Sequence, residues 1–527
     1  MVKLLSLLLS LFLLQIAWWT KAAENPLSLS TTAAEEPLLL SGEPMELLDV
    51  IRLTVVHSPT IRQQQRQVTI AGAQARSQAG TFDPVFYTSL ENRHQRAADP
   101  PILYTRDYGD DIESQWGIKK LFREGFTTDF SVSLLRDDRS NDDFHSPAVY
   151  NKAKVYFTLT VPLLQGRGRR SVAAIEKVAH LEKEASLLNL KHFIASTLLA
   201  AIGAYWDYKA SVERRVILQQ SQQRILQWKE EFEQHFGEDN KAIISHWAGV
   251  LADKRRIVAG AIEEINNSKS QLALVMGIPA EQTDNLGLPA ADFIEASSLT
   301  IKNYEEARRQ WIAIALEKRM DLKALELLQK AAAVSLAKTK RDKWPKLDLK
   351  LSAGYKGVTD DKATQAYFDS LNSHVLGTDT TAALVFSYPL GNNAAAGAYD
   401  LSQAIYQQRR EDVQELQRNI HVQIGVNIKT LERRLQEVKE AANTILAYQE
   451  AVDDLLRTAK AQLDENKIFN LIDLEEKLTE ADSNHLVPLK ELAKTIAQIR
   501  FQTGTLFITN TTTTTDEIEV EALTSLP

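Results

Sequence analysis

The sequence predicts a mainly α fold with β: long antiparallel coiled-coil helices flanking pairs of strands, with the plan written twice. Three observations lead there. Glycine and proline number only 21 and 15 in 527 residues, which favours long helices over a β-rich globule. Residues 168–232 and 391–463 contain no proline, and at 1.5 Å per residue they span roughly 100 and 110 Å as helices. Short stretches of strict alternation sit in front of both runs.

The N-terminus comes first. Lys3 precedes an apolar run from Leu4 to Trp19, then Thr20-Lys21-Ala22-Ala23. A basic start, an apolar middle and small residues at the end read as a secretory signal over 1–22, cleaved after Ala22. The competing reading is an anchoring helix, for which the run is slightly short. No later stretch in this reading matches the roughly 20 apolar residues of a spanning helix. Residues 23–44 read as a linker, and 506–527, with Thr511 to Thr515 in a row, as a disordered tail.

Between them lie two repeats, 45–300 and 301–505. In the first, a helix from Pro59 through Ala71, Ala73 and Ala75 ends at Asp83-Pro84-Val85. In the second, a helix from Met320 through Ala332 and Val334 ends at Trp344-Pro345-Lys346. Each proline stops its helix by pushing the preceding residue out of the helical region. Val161-Pro162-Leu163 and Tyr388-Pro389-Leu390 each close a strand. Leu274-Val275-Met276-Gly277 and Phe501-Gln502-Thr503-Gly504 each end a helix on a glycine cap.

The strands are read from alternation. Leu347, Leu349, Leu351, Ala353 and Tyr355 alternate with Lys346, Asp348, Lys350 and Ser352. Ala382, Leu384, Phe386 and Tyr388 form a second set, and Val155, Phe157, Leu159 and Val161 a third. One apolar face and one polar face suits a strand between lipid and a wet lumen, and equally a half-buried antiparallel sheet. Gly117 to Leu121 and Phe126 to Leu134 look like a further hairpin around Arg123-Glu124-Gly125. It either extends the first strand pair or forms a loop.

The long helices carry a narrow seam: Val413, Leu416, Ile420, Ile424, Ile428, Leu431, Leu435 and Val438 follow a three-four rhythm. Such helices pack side by side as a rod or tube. The pattern breaks at Gly237-Glu238-Asp239-Asn240 and at Asp464-Glu465-Asn466-Lys467, read as the tips of antiparallel hairpins.

Composition and motifs exclude several chemistries. The net charge of −8 is interleaved, unlike a nucleic-acid binder's concentrated basic face. Cysteine is absent, which removes disulfides and thiolate sites. No His-Glu-x-x-His, phosphate loop or Ser-His-Asp grouping occurs. His235 and His246 flank the first tip without a third ligand, so no metal or other cofactor is expected. Nothing supports an enzyme.

Together these pieces resemble the TolC family of outer-membrane factors, over about Met45 to Gly504. The most specific segments are Val161 through Arg169 with its Pro-Leu-Leu and glycine turn, Ala204-Tyr205-Trp206-Asp207-Tyr208, Pro345 with its following strand, and Tyr388-Pro389-Leu390-Gly391. The resemblance implies a homotrimer in the outer membrane extending into the periplasm. Four strands per protomer would make a 12-stranded transmembrane β-barrel, and the helices a periplasmic α-barrel. It implies a passive channel serving an inner-membrane transporter through a periplasmic adaptor, the membrane fusion protein. Cargo is either small molecules or, as in type I secretion, proteins. The rival is a periplasmic coiled-coil scaffold with no channel. The resemblance also places an iris gate at Asp473 and Asn470, the latter where the family has a second aspartate. It places adaptor docking at Gly237 and Asn466, the second tip lacking the family's glycine.

Overall fold

The computed structural model describes residues 44–96, 108–140, 149–236, 241–296, 299, 301, 303–360, 363–371, 375–461, 465–506 and 526–527. The expected signal and linker, apart from Pro44, and most of the expected tail lie outside these residues, as does Gly237.

The first series of elements begins with α1 (Leu47–His57) and α2 (Pro59–Ala79), separated by Ser58 alone. Pro59 opens α2, where its missing N–H costs nothing. Four strands follow: β1 (Val85–Arg96), β2 (Tyr108–Leu121), β3 (Thr127–Ser140) and β4 (Val149–Pro162). Next come the 63-residue α3 (Ala174–Phe236) and α4 (Lys241–Met276). The second series has α5 (Tyr304–Lys318) and α6 (Met320–Asp342), with Arg319 alone between them. The Asn303 side chain caps α5, accepting from the Glu305 and Glu306 amides at 3.1 and 3.2 Å. Then come β5 (Lys346–Thr359), the short α7 (Thr364–Asp369), β6 (Val375–Ser387), the 69-residue α8 (Asn393–Ala461) and α9 (Glu465–Thr503).

Two glycines occupy matching places in the two series. Gly277 and Gly504 end α4 and α9 at φ +79° and +70°. Gly277 packs against the α1–α2 junction, where an added Cβ would lie 2.6 Å from Pro59 and 2.7 Å from the His57 carbonyl. Gly504 meets the α5–α6 junction at Lys318 and Arg319, 3.0 Å away. Only glycine combines that backbone with that approach.

The strands form one six-stranded antiparallel sheet in the order β1-β2-β3-β4-β5-β6. Among the described residues the sheet thus holds six strands where four per protomer were expected, and the hairpin around Gly125 extends the first strand pair rather than forming a loop. The hairpin around Gly125 belongs to two strands of 14 residues each, longer than their alternating stretches. Thr88, Ser114 and Thr128 interrupt the apolar face on β1–β3, so alternation alone under-reads these strands.

Among the described residues, the helices enclose three apolar clusters. One joins α1, α3, α4 and α9 around Val50, Ile51, Tyr205, Trp206, Tyr208 and Met276. The second joins α5, α6, α8 and α9 around Trp311, Ile420, Ile424, Leu431 and Ile496, and contains most of the expected α8 seam. The third lies at the far ends of α3, α4, α8 and α9 around Trp228, Trp247, Val452 and Leu471. The second tip also needs correction: α9 already begins at Glu465, so Glu465, Asn466 and Lys467 are helical. An apolar window within Ala174–Gln234 reaches a mean hydropathy of 1.4, above what the sequence reading allowed. Its helix places Leu198, Ile202, Tyr205 and Trp206 in the helical core.

Candidate functional site

Antiparallel register sorts the sheet into two faces, because directly opposed residues share a face. One row runs Phe86, Ile118, Phe130, Phe157, Ala353, Thr380 across all six strands. The next runs Thr88, Trp116, Val132, Val155, Tyr355, Thr378. Leu159, Leu351 and Ala382, then Val161, Leu349 and Leu384, continue the same face toward the helices. Phe86 and Phe386 stand exposed at its helix-proximal border, where membrane barrels carry an aromatic girdle. At the other border α7 packs on the sheet. Its Tyr367 hydroxyl donates to the Leu134 carbonyl at 3.0 Å, and Phe368 is exposed.

The opposite face is polar. Lys119, Asp129, Thr158, Ser352 and Thr381 form one row, and Ser89, Gln115, Ser133, Lys154 and Lys356 another. Between them runs Tyr87, Gly117, Ser131, Tyr156, Gly354, Asp379. Here two tyrosines lie across glycines. A Cβ on Gly117 would meet the Tyr87 ring at 2.3 Å, and one on Gly354 the Tyr156 ring at 2.6 Å. Each ring reaches an aspartate beyond its glycine: Tyr87 donates to Asp129 at 2.9 Å, and Tyr156 to Asp379 at 2.6 Å. One device thus ties β1–β2–β3 and another β4–β5–β6. Sequence reading missed both, because the partners are 42 and 223 positions apart.

The tyrosines of the Ala204 to Tyr208 segment anchor the helices below. Tyr205 donates to the Met45 carbonyl at 3.1 Å and accepts from the Ala291 amide at 3.0 Å. Asp207 is held by Lys490 and Lys494 of α9 at 3.1 and 2.7 Å. These contacts give the segment a packing role.

At the far end of α9, Asn466, Asn470, Asp473 and Lys477 recur at helical spacing on one exposed stripe, while Ile468, Leu471, Ile472, Glu475 and Leu478 are buried behind it. Asp473 accepts from the Lys477 ammonium at 2.7 Å, and both side chains are about half exposed. This pair was not read from the sequence. Behind the stripe, Glu475 is fully buried, with one carboxylate oxygen taking two bonds from Arg224 at 2.8 and 3.0 Å. Thr479 donates to Ser221 at 2.8 Å beside it. Nearby burial pushes the Lys254 ammonium pKa down, against the opposing pull of Glu476 and Glu475. Burial likewise raises the Asp482 carboxyl.

Among the described residues no three His, Asp or Glu side chains converge as a metal site. His246 lies edge-on to Phe469 at 4.7 Å, while the His235 side chain lies outside the described residues. Gly237 likewise lies outside the described residues, and Asn466 sits in the first turn of α9.

A sheet with one apolar and one charged face, standing on long paired helices, has counterparts among solved structures. The chain is similar to the outer-membrane protein VceC of Vibrio cholerae, with a TM-score of 0.63 and 13% identity over 87% of this chain and 96% of that one. The Campylobacter jejuni CmeC outer-membrane channel gives 0.61 and 11%, covering 88% and 86%. The Neisseria gonorrhoeae MtrE outer-membrane channel gives 0.58 and 12%, covering 87% and 89%. The chain has the TolC-type fold of outer-membrane channels. No family model and no curated protein matches its sequence. At such identities the outer-membrane channel fold survives through its pattern of faces and seams.

Proposed function

We propose that this chain is a passive outer-membrane channel, a homotrimer that conducts cargo from a periplasm-spanning export complex to the outside. The supporting observation is the two-faced sheet. Its apolar rows would meet lipid, its charged rows water, and a lone protomer has two open edges that lipid does not tolerate. The helices would continue the conduit through the periplasm. Non-enzymatic transport suits a molecule whose conspicuous features are faces and seams. Energy would come from an inner-membrane transporter, coupled through an adaptor that packs against the helix ends near Asn466. The Asn470–Asp473 stripe would close the pore there as an iris. Three Asp473 carboxylates around a narrow opening favour cations, and the Lys477 ammonium at 2.7 Å moderates that field.

Cell fractionation tests this reading against a soluble coiled-coil scaffold. The channel is expected in the outer-membrane fraction, released only by detergent, and trimeric in mass. A protein released by osmotic shock as a soluble species contradicts it.

A further inference from the structure

We infer that all six strands stand in the membrane wall, with β1 of one copy pairing with β6 of the next, so that a trimer closes an eighteen-stranded barrel. The inference rests on the trimeric channel reading and concerns the hairpin β2–β3, which a contiguous wall of four strands per protomer, β3 to β6, would cut in two, leaving β1 and β2 outside and putting β3 at the seam.

The apolar face does not stop at the hairpin. The row from Phe86 to Thr380 passes through Ile118 and Phe130 in register, and the next passes through Trp116 and Val132. Each of the six strands has 12–14 residues, against the 9–11 a tilted strand needs to span lipid. The tyrosine–glycine–aspartate tie recurs on both sides, binding β1 to β3 as it binds β4 to β6.

The hairpin is also fixed at its base. Gly125 adopts φ +102° in the β2–β3 turn, and a Cβ there would strike the Gly166 carbonyl at 2.4 Å. The Gly168 amide donates to the Glu124 carbonyl at 2.9 Å. Arg123 forks onto Glu176 at the start of α3, at 2.7 and 2.8 Å. The turn is therefore locked into the junction between β4 and α3, level with the other strand bases.

Perimeter agrees. Six strands about 4.8 Å apart, tilted about 40°, cover roughly 37 Å of circumference per protomer. Four helices about 8–10 Å apart cover about 32–40 Å, a span that holds the six-strand arc but not the about 25 Å of four strands. The edges are ready for pairing. An even number of alternating strands makes β1 and β6 antiparallel across the seam. Their outward residues Phe86, Leu90, Leu384 and Phe386 are 63–77% exposed. Barrel diameter grows roughly with strand number, so this mouth would be about one and a half times as wide as a twelve-stranded one. It suits bulky or polymeric cargo at the outer exit.

Disulfide trapping tests the seam without background, since the chain has no cysteine. Full-length protein carrying Thr88→Cys is combined with Leu384→Cys or with Ala382→Cys, and oxidised in outer-membrane vesicles. A ladder ending at covalent trimer is expected. The control combines Val132→Cys on β3 with the same two partners and is expected to stay monomeric. Trimer ladders from the β3 pairs, with none from the β1 pairs, would overturn the eighteen-stranded wall while leaving the channel reading intact. So would a β1 ladder closing at dimer. Protein absent from the membrane fraction would overturn both.

Discussion

On the proposed channel reading, the stripe on α9 is where single charges decide most. Asp473 and Lys477 are a helical pair whose mutual attraction on an exposed surface contributes only about 0–1 kcal/mol. Their effect on stability is small, so exchanging them tests the proposed pore field with little change in folding. Asp473→Asn is expected to lower cation preference, and Lys477→Gln to raise it, because the remaining carboxylates lose their counter-charge. Reversal potentials across a salt gradient check both, and unchanged potentials would remove Asp473 from the gate. Glu475 two positions on has a different task. It is fully buried and held by Arg224, so it braces the packing between α3 and α9 rather than facing cargo.

At the scale of elements, the glycines at the helix ends carry the sharpest expectation. Gly277→Ala places a methyl group against Pro59 and His57 at a positive φ. Strain of this kind costs about 1–3 kcal/mol. A lowered thermal unfolding midpoint, with local exchange of the α1–α2 amides, is the expected result, and wild-type behaviour would refute the tight junction. This element was legible in advance because a glycine after an apolar helical run has one common use. The α8 seam was legible for the same reason: Ile420, Ile424, Ile428 and Leu431 announce their period, and they are buried. The sheet was only half legible. On β5, alternation is clean from Leu347 to Tyr355. On β1 and β2, Thr88 and Ser114 stand at apolar-face positions, and cross-strand pairing rather than local pattern completes the face. The second tip slipped because Glu465 and Lys467 are good helix formers, and α9 takes them into its first turn. Asp473 stood out in the sequence only through the family resemblance, and its partner Lys477 is one of many lysines until the helix face is known.

The whole molecule combines three physical layers. Clustered apolar residues join the helices into long antiparallel packs, two-faced strands make a wall with open edges, and trimer closure would remove those edges. The tests of gate, junction and seam address parts of that account. Its centre is that the assembled chain conducts. Purified protein inserted into a planar lipid bilayer measures this directly. Discrete conductance steps are predicted, with a cation preference that falls on Asp473→Asn. Protein that inserts as a trimer yet passes no current, even after the helix ends near Asn470 and Asp473 are loosened by mutation, would contradict the channel.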